Sequence, residues 1–111
     1  MYKSIETLLV EIPTIRPHKM AVATMQTQTL VLIRIETEDG FIGWGEATTI
    51  GGLGYGEESP ESIKTNIETY FAPLLKSLQL PNIAQTMRAF NKNINGTRFA
   101  QCAIQTALLA I

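Results

Sequence analysis

The stretch Thr29-Leu30-Val31-Leu32-Ile33-Arg34-Ile35-Glu36-Thr37-Glu38-Asp39-Gly40-Phe41-Ile42-Gly43-Trp44-Gly45-Glu46-Ala47-Thr48 decides the fold. Thr29 to Glu36 is rich in β-branched residues, Asp39-Gly40 is the strongest short hairpin signal in the chain, and Phe41 to Thr48 supplies the partner strand. Towards the N-terminus, Leu8, Val10 and Ile12 share one side at a spacing of two, which predicts a strand over Ile5 to Ile12. Pro13 and Pro17 are expected to end it. Ile15 to Gln28 is polar and small without a sustained period, so a mobile loop is expected there. The three strands predict an antiparallel meander spanning about residues 3–48.

Beyond it the period changes. Ser59-Pro60-Glu61 offers an N-cap, a proline at the first helical position and an acid in the first turn. Ile63, Ile67, Phe71, Leu74, Leu75 and Leu78 then recur at helical spacing, with Pro73 expected to kink or divide the element. Asn82 is a second N-cap, ahead of Ile83, Met87, Phe90 and Ile94 on one face, and Asn95-Gly96 is the stop. Thr97 opens a last helix whose Ala100, Ala103, Ala107, Leu108 and Ile111 form a face of mostly small residues that a neighbour can approach closely. That helix carries no stop signal, so the chain is expected to be truncated before a partner segment. The class is α+β: a three-stranded meander followed by two to three helices over about 59–111, with a loop at about 49–58 between them.

Composition narrows the functions. A 111-residue chain that is 45% hydrophobic has material for one core. Its net charge of -1, with basic residues scattered, gives no footprint for nucleic acid or an anionic membrane. Cys102 stands alone, the start has no signal-peptide apolar region, and the apolar last helix is too short to span a bilayer; a cytoplasmic protein is expected.

Catalytic groups are scarce. His18, with Arg16 and Lys19, reads as a solvated basic loop, anion steering being the alternative. Asp39 belongs to the turn, and Cys102 reads as a small core residue. Glu57, Glu58 and Glu61 suit the positive end of a helix without a metal, and Glu46, if buried, needs hydrogen-bond partners. Thr48-Thr49-Ile50-Gly51-Gly52-Leu53-Gly54-Tyr55-Gly56 reads as a glycine-rich lid carrying Ile50, Leu53 and Tyr55; it lacks the Lys-Ser/Thr ending of a phosphate loop. A ligand-free Ω-type loop is its alternative.

Three stretches, Pro13 to Lys19, Asp39-Gly40 through Gly43-Trp44-Gly45-Glu46-Ala47-Thr48-Thr49-Ile50-Gly51-Gly52, and Tyr55 to Glu61, resemble the amino-terminal capping domain of the muconate cycloisomerases, the muconate lactonizing enzymes of the enolase superfamily. The resemblance implies a cap over a (β/α) barrel, with loops near Ile15 to Met25 and Ile50 to Gly56 closing the active site. It implies Ile50 and Tyr55 as substrate-facing residues, with Met20 and His18 in secondary places. The implied reaction is the cycloisomerisation of cis,cis-muconate, a dicarboxylate, to muconolactone in catechol catabolism by the β-ketoadipate route. A chloromuconate cycloisomerase cap, a non-catalytic remnant or a binding domain are the alternatives. The implied divalent ion, manganese or magnesium, and the proton-transferring lysine belong to the barrel: no two lysines here form the family's Lys-x-Lys, and Asp39 is the lone aspartate. This chain is therefore expected to bind no metal and to be inactive by itself. Its implied partners are its own barrel and, at full length, further copies in a homo-oligomer. Ala110 departs from the acidic residue usual after Ala-Leu-Leu in the family.

Overall fold

A computed structural model describes the backbone of residues 2–19, 24–48, 58–78 and 82–111, with side chains for all of these except 14–19 and 24–27. Three strands, β1 (Tyr2–Lys19), β2 (Thr24–Thr37) and β3 (Ile42–Thr48), form an antiparallel sheet in the order β1-β2-β3. The hairpin between β2 and β3 closes where expected. Thr37 N–H donates to Phe41 O at 2.9 Å and Gly40 N–H to Thr37 O at 3.0 Å, with Gly40 at φ 92, a value that glycine adopts without steric cost.

The first hairpin differs from expectation. β1 does not stop at Pro13, and most of the segment 15–28 is a paired ribbon rather than a loop: Pro13 faces Thr27, His18 faces Met25 and Lys19 faces Thr24. The reason lies in the sheet order. β1 is an edge strand, where a proline without an N–H costs no ladder bond on its open side, and the register shift between Pro13 and His18 takes up the irregularity around Pro17.

The helices are α1 (Pro60–Asn66), α2 (Ala72–Ser77), α3 (Ile83–Asn93) and α4 (Arg98–Leu109). Ser59 and Ser62 form a reciprocal capping box at α1, and Asn82 caps α3 by accepting from Gln85 N–H at 2.8 Å. Pro73 divides its element in an instructive way: a π-helical turn, Ile67–Phe71, joins α1 to α2, and Ala72 N–H reaches back to Ile67 O. The widened turn immediately precedes the residue that lacks an N–H, so one rod continues past the proline instead of breaking.

One face of the sheet meets the helices. Val31, Ile33 and Ile35 of central β2 are wholly buried against Ile63, Ile67, Phe71 and Leu75 of the rod, Phe90 of α3 and Ile104 of α4. Phe71 and Phe90 meet edge to face at 4.9 Å, tying the rod to α3. Thr7 of β1 donates to Glu68, which also pairs with Lys64; these two hydrogen bonds, Lys64's first, hold the Glu68 carboxyl below its usual range.

Helix α4 lies directly on β3. A methyl group at Gly43 would stand 2.0 Å from Ala107 O, and one at Gly45 2.0 Å from Ala103 O. Glycines on the strand and alanines on the helix therefore serve one purpose, the close approach of two backbones. Because Ala107 sits at Gly43 and Ala103 at Gly45, α4 runs antiparallel to β3, with its N-terminus at the Thr48 end.

The opposite face of the sheet is open. Leu8, Ile12, Ile42 and Trp44 are exposed there, beside Glu46, which is exposed rather than buried. On this face Arg34 bonds Glu36 at 2.9 Å and Lys3 lies 3.5 Å from it; the Arg34 bond chiefly holds the Glu36 carboxyl below its usual range. Cys102 is also exposed, on the outer side of α4, and is not the core residue that its apolar neighbours suggested.

Candidate functional site

The two segments with binding character leave the sheet at the same end. Thr48, the last residue of β3, pairs with Leu30, whereas β2 begins at Thr24, so the β1–β2 ribbon projects beyond β3 by residues 24–29. At roughly 3.3 Å per residue that projection is on the order of 20 Å. His18 lies in the ribbon near its tip, paired with Met25 through the backbone, and its side chain is outside the described set. Met20, Ile50 and Tyr55 lie outside the described residues, as do the rest of the segment 49–57 and Glu57.

The two feet of segment 49–57 are described, and both are held by side chains. At the first, the Thr48 hydroxyl donates to Thr29 O at 3.1 Å and accepts from Gln28 Nε2 at 3.1 Å. At the second, Glu58 reaches the N-terminus of α4: Oε1 accepts from Phe99 N–H at 2.8 Å and Oε2 from Ala100 N–H at 3.2 Å. These are the donors that an N-cap side chain ordinarily satisfies. Thr97, the expected N-cap, does not do so; it adopts φ 55, unusual for a β-branched residue, and its hydroxyl donates to Gly96 O. Glu58 thus caps a helix far along the chain, whereas the sequence suggested that it serves the helix it precedes. No local spacing signals such a contact; the weak cap at Thr97 is visible only once its backbone is known.

Chemically this end of the molecule offers hydrogen-bonding anchors and no acid–base pair. Among the described residues, no three His, Cys, Asp or Glu side chains come together in a way that holds a metal ion. The divalent ion implied by the resemblance therefore has no seat among them. No helix among the described residues is long and apolar enough to cross a membrane.

Comparison with known proteins agrees with this architecture. Residues 4–111 match the family model described as mandelate racemase / muconate lactonizing enzyme, N-terminal domain. The chain belongs to that family. Muconate cycloisomerase 1 of Acinetobacter baylyi is 73% identical over 112 residues, covering 100% of this chain and 30% of the relative. Muconate cycloisomerase 1 of Pseudomonas putida is 53% identical, over 98% of this chain and 30% of its own length. The crystal structure of muconate lactonizing enzyme from Pseudomonas fluorescens complexed with muconolactone superimposes with a TM-score of 0.93 at 56% identity, over 97% of this chain and 29% of that one. The chain thus spans about 30% of the length of these curated relatives, the part that family members devote to the N-terminal domain.

Proposed function

We propose that this chain is the substrate-capping part of a muconate cycloisomerase, the enzyme that converts cis,cis-muconate to muconolactone. The observation that carries the proposal is the shared end of the sheet, where the β1–β2 ribbon projects and where segment 49–57 has both feet. In this reading Ile50 and Tyr55 face the dicarboxylate, Met20 and His18 contribute from the ribbon tip, and the cap excludes water from the reacting centre. The charge stabilisation supplied by a manganese or magnesium ion belongs to the barrel joined to this cap, and no step is routed here through groups of this chain. The whole enzyme acts in the cytoplasm, in a homo-oligomer.

The test is a chimera in which this chain replaces the matching part of the Acinetobacter baylyi relative, assayed by the loss of muconate's ultraviolet absorbance. Turnover of muconate is expected, and Tyr55→Ala and Ile50→Ala are each expected to lower kcat/KM about tenfold, a loss of the size expected from mispositioning. Chloromuconate run in parallel reads whether the two substitutions change substrate choice. A folded chimera that converts neither substrate overturns the proposal. Unchanged kinetics in both variants remove Ile50 and Tyr55 from the site.

A further inference from the structure

We infer that Glu58 is a positioning residue for the substrate-facing segment 49–57, fixing its second foot to the N-terminus of α4, an inference that rests on the capping function proposed above. Three observations converge on it. The carboxylate divides its two oxygens between adjacent backbone donors, Phe99 N–H at 2.8 Å and Ala100 N–H at 3.2 Å, so its direction as well as its distance is set. Both bonds are charge-assisted and lie at the positive end of a twelve-residue helix, which makes them stronger than a neutral cap. The next residue, Ser59, enters the capping box of α1, so the chain is held on either side of the same peptide bond by two different helices.

The helix that receives Glu58 also controls the first foot. Its Ala103 and Ala107 carbonyls press on Gly45 and Gly43, and β3 ends three residues after Gly45 at Thr48, where the segment departs. A single rigid element therefore sets the separation of the two feet. Tyr55 stands three residues before Glu58 in sequence, close enough for a displaced foot to be felt at its ring. Had Thr97 capped α4 in the ordinary way, the helix would have been equally satisfied and the foot left without this tether. The Thr97 hydroxyl is instead turned to Gly96, and the capping position is given to a residue of the segment's own foot.

A plain helix cap stabilises and does nothing else; a positioning residue changes how substrate is held. The two are separated in the chimera with Glu58→Gln, which keeps the side chain's size but presents an amine to one of the two donors, Glu58→Asp as the conservative variant, and Asn82→Ala as a control that removes the cap of α3. Glu58→Gln is expected to raise KM for muconate about tenfold with kcat changed less than about twofold, and to speed amide exchange within 49–57. Glu58→Asp should recover part of both, and Asn82→Ala should lower Tm without moving either. If Glu58→Gln matches Asn82→Ala, lowering Tm and leaving KM and exchange in 49–57 unchanged, the inference is overturned. If the unsubstituted chimera folds but converts no substrate, the capping function fails instead. The exchange comparison then decides the tether alone: faster exchange in Glu58→Gln than in Asn82→Ala supports it, and equal exchange sinks it.

Discussion

At the scale of the residue, the glycines of β3 carry the tightest constraint in the molecule. Gly43 and Gly45 are needed because a helix backbone occupies the space where a side chain would stand, not because their own backbones are unusual. At Gly45 the obstructing atom is a carbonyl oxygen at 2.0 Å, which has no rotamer by which to withdraw, so Gly45→Ala must push α4 off the sheet. Overpacking of this kind costs about 1–3 kcal/mol and sometimes more. A fall in Tm of at least several degrees is expected, compared with almost none for Gly40→Asn, since nothing stands within 4 Å of Gly40 and asparagine tolerates a positive φ. Equal Tm values for Gly45→Ala and the parent would show that the helix does not sit where the structure puts it. Because α4 is also the helix that Glu58 caps, the same substitution is expected to disturb the feet of segment 49–57.

At the scale of the element, the two faces of the sheet are energetically unequal, and the sequence pattern of β1 points to the wrong one. Leu8 and Ile12 keep strand period, yet their side is the open face, where they are 49% and 47% exposed; Ile33 and Ile35 on β2 are 0% exposed. Leu8→Thr is therefore expected to cost under about 1 kcal/mol, as for a surface site, and Ile33→Ala about 2–5 kcal/mol, as for a filled core site. Chemical denaturation of both variants checks the ranking, and a larger loss from Leu8→Thr would mean that the open face is packed in solution. Much of the fold was legible in the residues themselves: the Asp39-Gly40 turn, the caps at Ser59 and Asn82, the helical spacing from Ile63 to Leu78, and the small face of α4 are local signals with local causes. The ribbon from Pro13 to Thr27 was not legible, because whether a proline ends a strand depends on which edge is open, and sheet order is a property of the whole meander. The π-helical turn before Pro73 and the cap of α4 by Glu58 were hidden for the same reason: each resolves a local defect with a partner that local periodicity does not display.

At the scale of the whole molecule, the described residues divide the labour of catalysis unequally with what the relatives carry over their remaining length. The sheet and helices form a rigid frame whose one end presents the ribbon and the feet of segment 49–57. A frame of this kind shapes a pocket and keeps water out, but the rate of a cycloisomerisation comes from stabilising developing negative charge and from a positioned proton donor. Among the described residues the acids stand apart, no metal-holding cluster forms, and the carboxylate at the binding end, Glu58, is committed to two backbone donors. The 111-residue chain purified alone is therefore expected to convert no muconate, even with manganese and saturating substrate, under conditions in which the chimera does. The measurement is the decay of muconate absorbance with and without a chelator, on protein whose mass shows that it ends at Ile111. Chelator-sensitive turnover by that protein would place the chemistry inside the cap and refute the division of labour; absence of turnover, with activity restored by joining the same chain to the barrel of its relative, is the outcome that the geometry requires.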